Sequence, residues 1–231
     1  MATIVETRSG RVEGFARDGV LEFRGLPYAR PPVGRLRFCA PQREEAWAGL
    51  RSAREFGASA PQRPLALPLP GMDIGPCDED CLVLNVTTPA CDAGRRPVLV
   101  WIHGGGFVIG SGAQALYDGA ALARRGDVVV VTINYRLGPL GFLYLSELCP
   151  ELDGAAGNPG MRDQVAALAW VKEHAAAFGG DPANVCIFGE SAGGMSVATL
   201  LGMPSTRGLF GRAIAQSGAA HHVHSRATAT R

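Results

Sequence analysis

Residues 188–194 read Phe-Gly-Glu-Ser-Ala-Gly-Gly ("FGESAGG") directly after the apolar run Val185-Cys186-Ile187. The core of this stretch, "GESAG" at 189–193, is a G-x-S-x-G pattern. Between a strand and a helix such a pattern has mechanical meaning. A sharp turn forces the serine into a sparsely populated backbone conformation, and small neighbours let strand and helix cross closely. The hydroxyl of Ser191 then projects above the sheet, and the next helix aims its amino end at it. Nucleophilic attack on a carbonyl is the chemistry this placement serves. By itself the pattern is short, and a glycine-rich turn with an idle serine carries the same letters.

A second loop complements it. "HGGGF" (103–107) follows the apolar run "VLVWI". Acyl transfer develops an oxyanion, and preorganised backbone N–H donors stabilise it, each contributing about 3–4 kcal/mol when tested by removal. Glycines let the backbone approach a substrate where a side chain would obstruct it. A phosphate-binding loop is the competing reading. Gly104, Gly105, Gly106 and Gly110 do not form G-x-G-x-x-G, however, and no G-K-[ST] follows.

The elements that must position these loops are legible in outline. "PVLVWI" (97–102) and "DVVVVTINY" (127–135) are near-continuous apolar runs, as in parallel strands buried on both faces. "ALYDGAALARRG" between them reads as a short helix closed by Gly126. Met161, Val165, Leu168, Val171, Ala175 and Phe178 recur at helical spacing, and Gly179-Gly180 ends that helix. His174 falls within it on a mostly polar stretch. "NVCIF" (184–188) is the next strand, "AGGMSVATLL" (192–201) the helix after it, and "GRAIAQSG" (211–218) opens another strand. The first thirty residues alternate around Ser9-Gly10 and Asp18-Gly19 and read as hairpins. Residues 30–80 are proline-rich and irregular, a loop length that usually carries function. Alternating strand and helix point to a doubly wound α/β sheet, mostly parallel.

Composition removes several classes of function. The 231 residues carry a formal net charge of +1, so no basic surface points to nucleic acid. No apolar stretch reaches the roughly 18 residues of a membrane span, and "MATIVETRSGRVEG" lacks the design of a signal peptide, so the expected compartment is the cytoplasm. The six cysteines (Cys39, Cys77, Cys81, Cys91, Cys149 and Cys186) are then expected as free thiols. Cys77, Cys81 and Cys91 match no standard zinc spacing. No cofactor and no metal are called for.

Together these motifs resemble a known family. "FRGLPYARPPVGRLRF" (23–38), "EDCLVLNV" (79–86), "WIHGGGF" (101–107), "GNPGMRDQVAALAWVKEHAAAFGGDPANV" (157–185) and "FGESAGG" are similar to the type B carboxylesterases, the esterase and cholinesterase branch of the α/β-hydrolase fold. The resemblance runs in order along essentially the whole chain. It implies Ser191 as nucleophile, an oxyanion hole from the N–H groups of Gly105, Gly106 and Ala192, and a small-molecule carboxylic ester as substrate. Glu190 resembles a family residue lining the site. Secreted members pair the cysteine of "EDCL" with one in the preceding loop, where this chain has "FGASAPQ" (56–62). Cholinesterases carry a tryptophan shortly before "EDCL", where "LPLPGMDIGPCD" holds no aromatic residue, against a quaternary ammonium site. The first of these departures suits a bacterial, intracellular member.

The activating groups are the remaining question. In this fold the triad runs serine, acid, histidine. Forty residues follow Ser191, and none is Asp or Glu. His221, His222 and His224 read as an ordinary polar loop or helix start, and His103 as a structural member of its loop. The family implies a domain about twice this length. Residues 1–231 are then its first half, ending after the strand that follows the nucleophile helix, with the acid and the histidine beyond residue 231. The alternative is a catalytically inactive or binding-only relative of the same fold.

Overall fold

In the computed structural model, which describes residues 2–63, 70–145, 149, 157–220 and 223–229, the chain begins as a meander of strands. β1 (Ala2–Glu6), β2 (Arg11–Arg17) and β3 (Val20–Pro27) run antiparallel. Asp18 and Gly19 both take positive φ, 51° and 78°. That is the two-residue turn whose twist matches its flanking strands, and the reason a D-G pair marks it in the sequence. β4 (Leu50–Ser52) adds beside β2, and β5 (Val83–Thr88) pairs antiparallel with β3.

The parallel part follows. β6 (Arg96–Ile102), β7 (Val129–Ile133), β8 (Gly180–Glu190) and β9 (Arg212–Gln216) complete a sheet ordered β1-β2-β3-β5-β7-β6-β8-β9. β6 pairs in parallel with both β7 and β8, and β8 with β9. All five residues of β7 are buried, as its continuous apolar run demands. β6 buries Val98, Val100 and Ile102 completely, while Leu99 and Trp101 on its other face stay half-buried. The chain therefore adopts the expected α/β-hydrolase fold, doubly wound with antiparallel hairpins at its start.

Helices cover both faces. α1 (Ala120–Gly126) packs Ala120 and Ala123 on Val20, Val128 and Val130. α2 (Gly138–Phe142) is a single short turn. α3 (Pro159–His174) and α4 (Ala192–Gly202) lie on the opposite face, where Leu168, Val171, Val197 and Leu200 join the main core. α5 (Arg226–Ala229) is a terminal turn. Two readings are corrected. The segment before Gly126 is not one helix: Ala115–Tyr117 forms a separate 3-10 turn, and Asp118 Oδ1 accepts the Ala120 N–H to begin α1 anew. Its left-handed cap is Asp127, at φ 47°, with Gly126 still inside. His174, moreover, is the last residue of α3 and is buried, its ring stacked on Trp170 at 4.4 Å. Positions 170, 174 and 178 share one helical face, so the apolar neighbours four residues either side decide its environment. His221 and His222 lie outside the described residues, and His224 is exposed.

Two ion pairs join three of the motifs to the segment that follows β7. Arg136 and Asp163, both fully buried, meet in a two-pronged contact of 2.8 and 2.7 Å. Arg136 also donates to the Arg37 carbonyl at 2.8 Å, and Arg37 itself grips Glu79 of "EDCL". A buried pair contributes little against a well-packed apolar substitute, yet breaking it leaves an uncompensated charge in the core. Asp163→Ala is expected to destabilise the fold by about 3–5 kcal/mol in urea unfolding. Cys39→Ser, at a half-exposed site, should stay within about 0.5 kcal/mol.

Candidate active site

The ends of β6 and β8 lie side by side, Ile102 opposite Gly189. That adjacency brings the two motif loops together. Leaving β8, the chain turns at Ser191 with φ 55° and ψ −120°, a conformation an L residue adopts only when its surroundings compel it. The Ser191 N–H donates to the Gln216 carbonyl of β9 at 2.9 Å, and its own carbonyl accepts the Met195 N–H of α4 at 2.9 Å. Close backbone packing explains the small residues. A Cβ on Gly193 would overlap the Ile102 carbonyl oxygen, and one on Gly189 would stand 2.7 Å from it.

The "HGGGF" loop faces this elbow. A Cβ on Gly104 would stand 2.7 Å from the Glu190 carbonyl oxygen and 3.2 Å from the Ser191 Cβ, so the loop meets the serine turn backbone to backbone. Two carbonyls aim the loop's donors. His103 Nδ1 lies 2.8 Å from the Gly104 oxygen, and the Gly105 oxygen accepts the N–H groups of Val108 and Ile109, both at 3.1 Å. In a planar trans peptide the N–H points opposite to the C=O. Occupying these two carbonyls within the loop therefore turns the Gly105 and Gly106 N–H groups away from it. Among the described residues neither N–H donates to any partner. Ala192 opens α4, so its N–H lacks an intrahelical acceptor as well. Three unused donors thus belong to the two loops that meet at one strained serine, and the Ala192 N–H sits at the positive end of the α4 dipole.

The loop's base is apolar and tight. The His103 ring stacks on Tyr135 at 4.5 Å, and the Tyr135 hydroxyl donates to the His103 carbonyl at 2.8 Å. Burial pushes the His103 imidazolium down to about 4, outweighing the raising effect of the Gly104 carbonyl. The ring is then neutral above that pH, with its proton on the nitrogen that faces a carbonyl acceptor. Phe107, at φ 63°, packs its ring on Phe142, and its carbonyl accepts the Gly138 N–H at 2.7 Å. Glu190 is exposed, its carboxylate beside Gly104. The proline-rich segment contributes here too, because Ala58, Ser59 and Gln62 bond to Asn134, Ser111 and Gly110. Sequence reading passes over Gln62; the proximity of "PQ" to "FG" carries no signal of its own.

No imidazole or carboxylate among the described residues bonds to the Ser191 hydroxyl. The described residues also hold no cluster of three or more metal-ligating side chains, and all six cysteines are free thiols. Burial raises the Cys81 thiol far above its usual range, which keeps it protonated and inert. Among the described residues no helix is long and apolar enough to cross a membrane.

A fold of this kind with a serine elbow facing a glycine loop defines an α/β-hydrolase, and comparison with known proteins narrows it. The sequence model of the carboxylesterase family matches residues 1–228, so the chain belongs to that family. It is 50% identical over 216 residues to the para-nitrobenzyl esterase of Bacillus subtilis (strain 168), covering 94% of this chain and 44% of that protein. It is 48% identical over 217 residues to the phenmedipham hydrolase of Pseudarthrobacter oxydans, covering 93% and 42%. The crystal structure of the carboxylesterase EST55 of Geobacillus stearothermophilus superimposes with a TM-score of 0.89 at 51% identity, over 95% of this chain and 44% of that one. The chain thus spans less than half the length of these relatives.

Two outcomes test the geometry. Gly193→Ala should unfold the protein or cost several kcal/mol, whereas Gly202→Ala, at an open helical position, should be neutral or stabilising by up to about 1 kcal/mol. Thermal unfolding of the two variants checks this. The second concerns pH. A histidine depressed on folding contributes stability that is complete above its unfolded pKa of about 6.5 and is lost as pH falls toward its folded value near 4. Stability should therefore drop between pH 6.5 and 4, by up to about 3 kcal/mol from His103 alone. Urea titrations should show a shallower slope over this window for His103→Gln.

Proposed function

We propose that the chain carries the nucleophile and oxyanion half of a carboxylic ester hydrolase working through an acyl-enzyme. The observation that carries this reading is the strained Ser191 facing the unused N–H donors of Gly105, Gly106 and Ala192. In the reaction, Ser191 Oγ adds to the ester carbonyl carbon while its proton passes to a general base. The carbonyl oxygen becomes an oxyanion and takes the three N–H groups. The tetrahedral intermediate collapses, the C–O bond to the alcohol breaks, and the alcohol leaves with the proton. Water then repeats the addition on the acyl-enzyme, releasing the carboxylic acid and restoring the serine.

The base and the acid that orients it are assigned to the part of the relatives' length that residues 1–231 do not match. The relatives support an ester as substrate: one is named a para-nitrobenzyl esterase, another a carboxylesterase. The small-molecule carboxylic ester is therefore the substrate class proposed for this site, and the cytoplasm its place of action. An intact serine and an intact glycine loop favour catalysis over a binding-only relative.

In the enzyme expressed from its whole gene, Ser191→Ala should lower hydrolysis of a short-chain aryl ester by about 10⁴-fold or more. Residues 1–231 alone should hydrolyse that ester no faster than their own Ser191→Ala variant, since the oxyanion donors act without an activated nucleophile. Serine-independent turnover by the whole enzyme would overturn the proposal.

A further inference from the structure

We propose that Gln62 is a positioning residue for the oxyanion loop, holding the Gly105 N–H at the angle that ester hydrolysis requires; this rests on the esterase reading above. Gln62 reaches from the proline-rich segment and clamps both backbone groups of Gly110. Its Oε1 accepts the Gly110 N–H at 2.7 Å, and its Nε2 donates to the Gly110 carbonyl at 2.8 Å. The same Nε2 donates to the Ala60 carbonyl at 3.0 Å, closing the clamp on its own segment. That segment is in turn fixed to the sheet. Asn134 Nδ2 donates to the Ala58 carbonyl at 3.0 Å, and Ser59 Oγ donates to Ser111 Oγ at 2.7 Å.

Gly110 matters because of what it backs. Its φ is 118°, and a Cβ there would overlap His103 Nδ1 and stand 2.7 Å from the Gly104 carbonyl oxygen. The Gly110 backbone is thus the wall against which that carbonyl and the imidazole rest. The direction of the Gly104 carbonyl sets that of the Gly105 N–H through the planar peptide. Gln62 therefore acts on the donor through two contacts, Gly110 and then Gly104, and touches no reacting atom. Residues 105–107 all have positive φ, so the loop between the clamp and the donors has few neighbouring conformations of similar shape and responds to loss of its anchor as a unit.

The clamp needs an acceptor and a donor on one side-chain end at this length. Leucine offers neither. An ionised glutamate still accepts from the Gly110 N–H but sets its second oxygen against two carbonyls. A protonated glutamic acid restores the amide pattern, its O–H donating and its C=O accepting.

The test uses the enzyme expressed from its whole gene, with each rate normalised to the sites titrated by a tight-binding trifluoromethyl ketone, whose hemiketal oxygen occupies the oxyanion position. For Gln62→Leu the expected result is a fall in kcat of at least tenfold with KM within twofold, and a parallel weakening of ketone inhibition. Gln62→Glu should show the same loss at pH 8, and its kcat/KM relative to unmodified enzyme at each pH should recover as pH falls below the glutamate pKa. Per-site kcat and ketone affinity within twofold of unmodified enzyme for Gln62→Leu would overturn the inference. So would a Gln62→Glu ratio flat with pH, which decides the matter should the leucine variant not fold. Failure of the esterase reading has a different signature: the unmodified enzyme itself would neither hydrolyse the ester nor bind the ketone.

Discussion

The site depends on one backbone-on-backbone contact, the crossing of α4 over the end of β6. Gly193 sits so close to the Ile102 carbonyl that no side chain fits between them, and a Cβ on Gly194 would stand 2.5 Å from the Gln216 carbonyl oxygen. This crossing holds the first turn of α4 down on three parallel strands at once. β6 delivers the glycine loop, β8 delivers Ser191, and β9 accepts the Ser191 N–H. The strain at φ 55° is local, while the contacts that enforce it are spread over the sheet. A serine elbow of this kind is a property of the whole parallel half of the domain, and loosening any of the three strand ends would relax it.

Around that crossing the polar interior does the aligning. The loop's two carbonyls are satisfied by His103 and by the Val108 and Ile109 N–H groups, so its donors have nowhere to turn but outward. The same logic explains why His103 is buried and neutral. A charged imidazolium would need solvation that the stacked Tyr135 and the surrounding core withhold, whereas the neutral ring needs one acceptor for Nδ1–H and finds it. Arg136 and Asp163 answer a related problem one layer away. They join the end of β7 to α3 with three hydrogen bonds and tie in the Arg37 carbonyl, fixing geometry in a region where apolar packing alone would permit sliding.

Much of this was readable in the residues, for physical reasons that also say where reading stops. β7 announces itself because a strand buried on both faces must be apolar throughout. The Asp18-Gly19 turn is legible because few residues tolerate two successive positive φ values. The two motif loops stand out because their backbone asks for small residues: a Cβ on Gly105 would overlap the Ile109 carbonyl oxygen, Gly106 takes φ 62°, and a Cβ on Gly193 would overlap the Ile102 carbonyl oxygen. β5, by contrast, is passed over: it follows directly on the long proline-rich stretch that reads as irregular. The burial of His174 is missed because a histidine among polar neighbours in sequence has Trp170 as its neighbour in space. The Arg136–Asp163 pair and the Gln62 clamp are invisible in principle, since their partners lie 27 and 48 positions apart and any surface arginine or glutamine looks the same.

The proposed division of labour between residues 1–231 and the remainder of the relatives' length has a chemical sense. Oxyanion stabilisation needs donors that do not move when charge appears, and these are backbone groups fixed by a sheet and a helix crossing. Proton transfer needs a side chain whose basicity and reach match the serine, and nothing in the described residues bonds to the Ser191 hydroxyl to supply it. The two contributions act on different atoms of the same transition state, one on the carbonyl oxygen and one on the serine proton. In the proposed reaction they call for different means: the first for rigid backbone, the second for a mobile proton-accepting side chain. The strained conformation of Ser191 belongs to that same backbone framework, fixed by the end of β8, the start of α4 and the Gln216 carbonyl of β9.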